Sequence, residues 1–113
     1  MNDKSKIIGE WRCKEIYIDG FRLSPNRSQK VFDHSKEFNW GYMGSGPSQL
    51  ALALLLEAGA TDEEASAWHQ EFKVDHIANL KQMDFQMTGD VVTGWIDYKR
   101  GRKTDDTPVE ENT

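Results

Sequence analysis

The residues best suited to chemistry lie in one glycine-rich stretch, GYMGSGPSQLALALL, at positions 41–55. Three glycines within six residues lead through Pro47 into an almost wholly apolar segment. A helix N-terminus presents unbonded backbone N–H groups and a partial positive charge, so such a loop can bind an anion. We expect the N–H groups of Ser48 and Gln49 to be free for this role. The candidate ligand-binding residues are Trp40, Tyr42, Gly44, Ser45, Gly46, Ser48 and Gln49.

The same stretch also has a purely structural interpretation. Glycine lets the chain turn sharply into a buried helix, while Trp40 and Tyr42 cover that helix. No lysine follows the glycines as in a P-loop, and the dinucleotide-binding pattern G-x-G-x-x-G is absent. The sequence favours the structural interpretation but leaves the anion site open.

Other residues with reactive side chains have weaker patterns. Asp33 beside His34 can form half of a catalytic pair, but no nucleophile nearby completes it. His69 and His76 are separated by about 10 Å along a helix, too far to bind one ion together. Cys13 has no cysteine partner. We therefore predict no metal, no cofactor and no catalytic residue.

Composition limits the classes of partner. The 113 residues suffice for one domain. There are 14 basic and 19 acidic residues, and four of the acids fall in the last ten positions, so the remainder is close to neutral. A nucleic-acid partner is therefore disfavoured.

The longest apolar run, residues 50–56, is shorter than the roughly 20 residues of a membrane span. We expect a cytoplasmic protein without a membrane segment.

The N-terminal part of the chain predicts strands. Asp19-Gly20 suits a two-residue turn of a β-hairpin. Trp11 and Cys13 fall on the opposite alternation, which predicts a bulge near Lys14 or a separate strand. Residues 24–37 are predicted to form a loop, and residues 38–42 a short strand. The inward face of the hairpin is predicted to be Ile16, Ile18, Phe21 and Leu23.

The rest of the chain predicts three helices. Pro47 suits the first helical position with Gly46 as the cap, and Gly59 suits the residue after the helix end. Because residues 50–56 are apolar on every side, this helix should lie at the centre of the core. Thr61 and Glu64 form a capping box for a second helix. The apolar stripe of that helix is Ala65, Trp68, Phe72, His76, Leu80 and Met83.

Thr88 is the expected cap of a last short helix. Its apolar face comprises Val91, Val92, Trp95 and Ile96. Residues 1–98 are then a single α+β domain, in which a small antiparallel sheet packs on a buried central helix with two further helices. Residues 99–113 are predicted to be a disordered tail, first basic and then acidic.

Three segments, FNWGYMGSGPSQLALALL, EFKVDHIANL and VVTGWI, resemble a family. It is a small family of bacterial and phage-borne domains of unknown function with the signature W-G-Y-x-G-S-G-P-x-Q-L-A-L-A-L-L. The resemblance runs from YIDGFRL to Ile96 and implies an α+β fold without a mechanism. Asn39 replaces an acidic residue, Met43 a glycine and Ser48 an alanine of that pattern, so we expect no chemistry that depends on an acidic residue at position 39.

The functional expectation is a small, non-catalytic accessory or binding protein of phage or mobile-element origin. It would engage a protein partner or a small anionic ligand. The first alternative is nucleotide or phosphate binding through the glycine-rich loop. The second is an enzyme of unknown class that uses Asp33 and His34.

Overall fold

A computed structural model describes residues 1–105, with the side chains described as far as residue 101. The antiparallel sheet has the strand order β3-β2-β1-β4 and consists of β1 Lys6–Glu10, β2 Glu15–Ile18, β3 Phe21–Arg22 and β4 Phe85–Thr88. The helices are α1 Asn26–Val31, α2 Ser45–Glu57, α3 Asp62–Phe72 and α4 Gly89–Asp105, with a π-helix at Lys73–Ile77 directly after α3. The predicted α+β class is confirmed.

The hairpin between β2 and β3 has the predicted turn. Asp19 and Gly20 have φ values of +52° and +85°, the positive values that a type I′ turn requires. Ile18 pairs with Phe21, and Ile16 is wholly buried. The predicted inward face is wrong at Phe21, whose side chain is 80% exposed. The turn end of the hairpin therefore extends past the edge of the core.

Strands β1 and β4 complete the sheet. Ile7 of β1 pairs with Ile18 on one side and with Met87 of β4 on the other. The change of alternation near Lys14 marks a turn between two strands, because Lys14 has a φ of +60° and its N–H donates to Glu10 O. Trp11 and Cys13 lie in this turn, so they belong neither to a bulge nor to a separate strand.

Helix α2 is the centre of the core, as predicted, because every residue from 46 to 56 is buried. Gly59 ends it with a φ of +102°. The N–H of Gly59 donates to Leu56 O and that of Ala60 to Leu55 O, which together form a Schellman motif. The predicted start is wrong, since Gly44 is the N-cap and the helix begins at Ser45.

Helix α3 begins with the predicted capping box. The N–H of Glu64 donates to Thr61 Oγ1, and the N–H of Thr61 donates to Glu64 Oε1, both at 3.0 Å. The predicted continuation to Met83 is wrong, because α3 ends at Phe72. In the π-helix the N–H of Ala78 donates to the carbonyl of Lys73, five residues earlier. This wider turn breaks the three-and-four spacing of the predicted stripe.

Residues 24–44 also differ from the prediction. Helix α1 forms within the predicted loop, and residues 38–42 do not form a strand. Phe38 and Trp40 are nonetheless buried. Their burial against the core, without a neighbouring strand to pair with, explains why an alternating pattern was misleading here.

Helix α4 is longer than predicted and passes residue 98, where the sequence analysis placed the domain boundary. Two residues of the predicted basic tail pair with α3: Lys99 with Glu71 at 2.7 Å and Arg100 with Glu64 at 2.6 Å. Residues 106–113 of that tail lie outside the described residues. None of the helices within residues 1–105 combines the length and hydropathy needed to cross a membrane.

Candidate functional site

Ser48, in the first turns of α2, is the predicted site residue around which polar side chains converge. It is buried, and its Oγ lies 3.0 Å from Gly44 O and 3.2 Å from Gln70 Oε1. Lys73 Nζ donates to the same Oγ at 3.0 Å. The hydroxyl therefore accepts a hydrogen bond from an ammonium group and can donate its own to either oxygen.

Lys73 is only 8% exposed, which is unusual for a lysine. It is the first residue of the π-helix, in which Lys73 and Ile77 are the buried residues. π-helical turns occur frequently at functional sites. None of the ion pairs among the described residues involves Lys73. The ammonium group thus lies in the interior with a hydroxyl partner and no carboxylate.

Two histidines lie next to this lysine. His69, one helical turn before Lys73, is buried, and its Nδ1 is 2.9 Å from the carbonyl oxygens of Ala65 and Ser66. Nδ1 must therefore carry the proton of a neutral ring, which leaves Nε2 as an acceptor. Nε2 of His34 lies 2.8 Å from Nε2 of His69, so His34 is the donor. We refer to His34, Ser48, His69, Gln70 and Lys73 as the polar network.

The spacing of the two histidines is that of a hydrogen bond. Two imidazole nitrogens bound to a tetrahedral ion at about 2.0–2.1 Å lie about 3.3 Å apart. The observed separation of 2.8 Å is shorter. The nearby Lys73 ammonium also disfavours a cation at this position. Elsewhere in the described chain, ligand atoms of Glu10, Cys13 and Glu15 lie within 4.8 Å of one another on the surface.

Gln49 positions His34. Its Oε1 accepts from the N–H groups of His34 at 2.7 Å and Ser35 at 3.1 Å, and its Nε2 donates to Ser28 Oγ at 2.8 Å. Gln49 is wholly buried in α2, so its amide fixes the segment after α1 against the central helix. The amide group of this predicted ligand-binding side chain therefore makes its hydrogen bonds within the protein.

The electrostatics of the network keep His34 neutral. Burial lowers the pKa of His34, and the neighbouring His69 and Lys73 lower it further, against the opposing charge of Asp33. A proton added to the pair would share the interior with the Lys73 ammonium.

Aromatic rings lie beside the network. Phe32 is 52% exposed and stacks on His34 with ring centroids 4.1 Å apart. Tyr42 is 41% exposed and covers Gly44, since a Cβ at Gly44 would lie 2.5 Å from Tyr42 Cε2. One ring thus lies at the histidine end of the network and the other near Ser48.

The remaining predicted site residues have different environments. Trp40 is wholly buried and donates from Nε1 to Met83 O at 2.9 Å, so it cannot stack on a ligand in this conformation. Gly46 is buried against Asn39, and Ser45 is exposed. The N–H of Ser48 donates to Gly44 O at 3.1 Å, so the prediction that it is free is wrong. That prediction placed the helix start two residues too late.

A family model matches residues 8–98. The chain belongs to the DUF6166 family, a family of unknown function. The predicted resemblance to a family of uncharacterised domains is confirmed. No curated protein and no solved structure matches the chain. All five residues of the polar network lie within the part that the DUF6166 model covers.

Three members of the network were missed as site residues in this DUF6166 sequence: His69, Gln70 and Lys73. The sequence analysis compared His69 only with His76, which lies on the same predicted helix, whereas its partner is His34. No sequence pattern indicated that Lys73 is buried, because a lysine at a helix end is ordinarily solvated. Its burial depends on how this end of α3 packs against α2, where Lys73 Nζ donates to Ser48 Oγ.

Proposed function

We propose that the chain is a small, non-catalytic binding protein that holds an anionic ligand at the polar network. The observation that carries this proposal is the burial of Lys73 without a carboxylate partner. Removing an ammonium group from water costs several kcal/mol unless a counter-charge compensates for it. An anion bound beside Lys73 would supply that counter-charge.

The surroundings of Lys73 favour an anion of small size. Helix α2 has no side-chain N-cap, so the N–H groups of Ser45 and Gly46 and the partial positive charge of its N-terminus remain for a ligand. Ser48 Oγ adds a hydroxyl beside the ammonium group. Phosphate, sulfate and carboxylate groups all accept hydrogen bonds from such donors.

The exposed rings beside the network extend the proposal to ligands that carry a ring. Phe32 and Tyr42 both present partly exposed aromatic surface. Aromatic rings stack readily on one another. A nucleotide or another aromatic phosphate therefore combines the two features, and this class is the first to test. Origin from a phage or mobile element stays a prediction.

An enzyme based on Asp33 and His34 is a weaker alternative. Nε2 of His34 engages His69, and the backbone N–H of His34 is held by Gln49. Asp33 is exposed. The histidine is therefore fixed by the fold on two sides, and the described contacts include no nucleophile activated by it.

Thermal shift followed by calorimetric titration tests the proposal. The panel comprises inorganic phosphate, sulfate, nucleoside monophosphates and cyclic nucleotides. A ligand at 100 times its Kd should add about 2.7 kcal/mol to the free energy of unfolding. Lys73→Met should abolish this stabilisation. The unliganded variant should remain folded, because it removes a buried charge and Ser48 Oγ keeps its contacts with Gly44 O and Gln70 Oε1.

Lys81→Met is the matched control, because Lys81 is exposed and lies outside the network. It should retain the full ligand-dependent stabilisation. The proposal is wrong if no member of the panel stabilises the protein, or if Lys73→Met responds to the ligand as the unmodified chain does.

A further inference from the structure

The histidine pair leaves one nitrogen to receive a proton. In the neutral pair, one proton lies between the two Nε2 atoms, and Nδ1 of His69 donates to backbone carbonyls. Nδ1 of His34 makes no hydrogen bond to any residue of the described part of the chain. A further proton would therefore enter at Nδ1 of His34. The protonated ring would still donate from Nε2 to His69, and such a charge-assisted bond is stronger.

The groups that face His34 decide when this proton binds. Lys73 of the π-helix and His69 of α3 oppose it, and Asp33 in the same loop favours it. Helix α2 contributes the neutral amide of Gln49. Burial also opposes the charge. Only a new negative charge next to Lys73 and His34 would reverse this balance.

We propose that the His34–His69 pair supplies the second positive charge of the anion site, so that binding draws one proton onto His34 and selects a dianion over a monoanion of the same shape. This inference rests on the proposed function. Lys73 alone offers one positive charge against the two negative charges of a phosphate monoester. A proton on His34 completes the match, and the bound dianion offsets the repulsion that keeps the free pair neutral.

Linkage gives the expected pH dependence. If binding takes up one proton, affinity rises by about tenfold for each unit of pH decrease while the free pair is neutral. It becomes constant at a pH below the pKa of the free pair. Phosphate monoesters themselves titrate near pH 6, which would confuse the measurement. Sulfate stays a dianion in this range, and perchlorate is a monoanion of similar tetrahedral shape.

The experiment is calorimetric titration with sulfate and with perchlorate between about pH 6 and pH 8, where a histidine pair changes charge. Two buffers with different heats of ionisation give the number of protons taken up. Sulfate should bind more tightly than perchlorate, with uptake of about one proton per ion. His34→Gln keeps a donor towards His69 but cannot titrate, so it should bind sulfate without the pH dependence. His76→Gln, a histidine outside the network, should behave as the unmodified protein.

Titration of the imidazole resonances by NMR provides a second readout in the unmodified chain, should His34→Gln fail to fold. Sulfate should raise the pKa of His34. Lys73→Met in the same sulfate concentrations corrects for the general effect of this salt on the measured pKa of His34.

The possible outcomes distinguish the inference about proton uptake from the proposed anion-binding function. Sulfate binding that requires Lys73 but takes up no proton, or pH dependence that survives in His34→Gln, overturns the inference and leaves the proposed function standing. Equal affinity for sulfate and perchlorate also overturns it. Failure of every anion to bind at any pH overturns both.

Discussion

Replacement of Gln49 by leucine should destabilise the fold, because it removes one buried amide group and the hydrogen bonds that this group makes. Gln49 is wholly buried in α2, and leucine is a similar-sized apolar side chain, so the packing around position 49 should change little. The loss comes from three hydrogen bonds, to the N–H groups of His34 and Ser35 and to Ser28 Oγ. The variant isolates the polar contribution from the apolar one.

The magnitude follows from what each partner loses. A typical intramolecular hydrogen bond contributes about 0.5–1.5 kcal/mol, and a donor left buried without an acceptor costs about 1–3 kcal/mol. Ser28 Oγ keeps its bond to Pro25 O, so its loss is small. The N–H groups of His34 and Ser35 belong to half-buried residues that water can partly reach. The expected loss is therefore about 2–4 kcal/mol.

Urea denaturation measures this loss, and Gln86→Leu is the matched control. Gln86 is exposed on β4, where a substitution should change the free energy of unfolding by less than about 0.5 kcal/mol. Amide exchange should also accelerate selectively at His34 and Ser35. A loss below about 1 kcal/mol, or unchanged exchange at both amides, would refute the conclusion that Gln49 fixes this segment.

Three further predictions concern the rest of the fold. Leu55→Ala should cost about 2–5 kcal/mol in urea denaturation, because a wholly buried side chain leaves a cavity; a loss below about 1 kcal/mol contradicts the central placement of α2. Gly41→Ala should lower the melting temperature more than Gly59→Ala does: both have positive φ, but only at Gly41 would a Cβ lie 2.8 Å from another side chain. The hydrogen bond to Glu15 raises the pKa of Tyr17 to about 12, so the ultraviolet difference between the unmodified chain and Tyr17→Phe should show little phenolate at pH 10, and Glu15→Gln should lower this pKa; a difference titration with its midpoint near pH 10 refutes the contact.

The sequence alone determined the features whose causes are local. The Asp19-Gly20 turn, the capping box at Thr61 and the Gly59 helix end depend on residues within a few positions of one another. The central position of α2 followed from its composition, since a helix that is apolar on every side must be buried in a protein of this size. These predictions needed no knowledge of distant partners.

Strand β4 forms where the sequence analysis predicted no strand, because its pairing partner is distant in the sequence. Strand β4 forms because Met87 pairs with Ile7, eighty residues earlier in the chain. The preceding residues continue the apolar spacing of α3 closely enough to suggest one long helix. The π-helix interrupts that spacing, and tertiary packing then overrides the local preference.

Only the tertiary structure decided the candidate site. His34 and His69 are 35 residues apart, and Ser48 and Lys73 are 25 apart, yet each pair makes a side-chain contact. Their meeting requires the segment after α1 and the π-helix to pack on the same end of α2. Sequence spacing within one element cannot encode such a contact, because the relative placement of the elements follows from how the whole core buries its apolar surface.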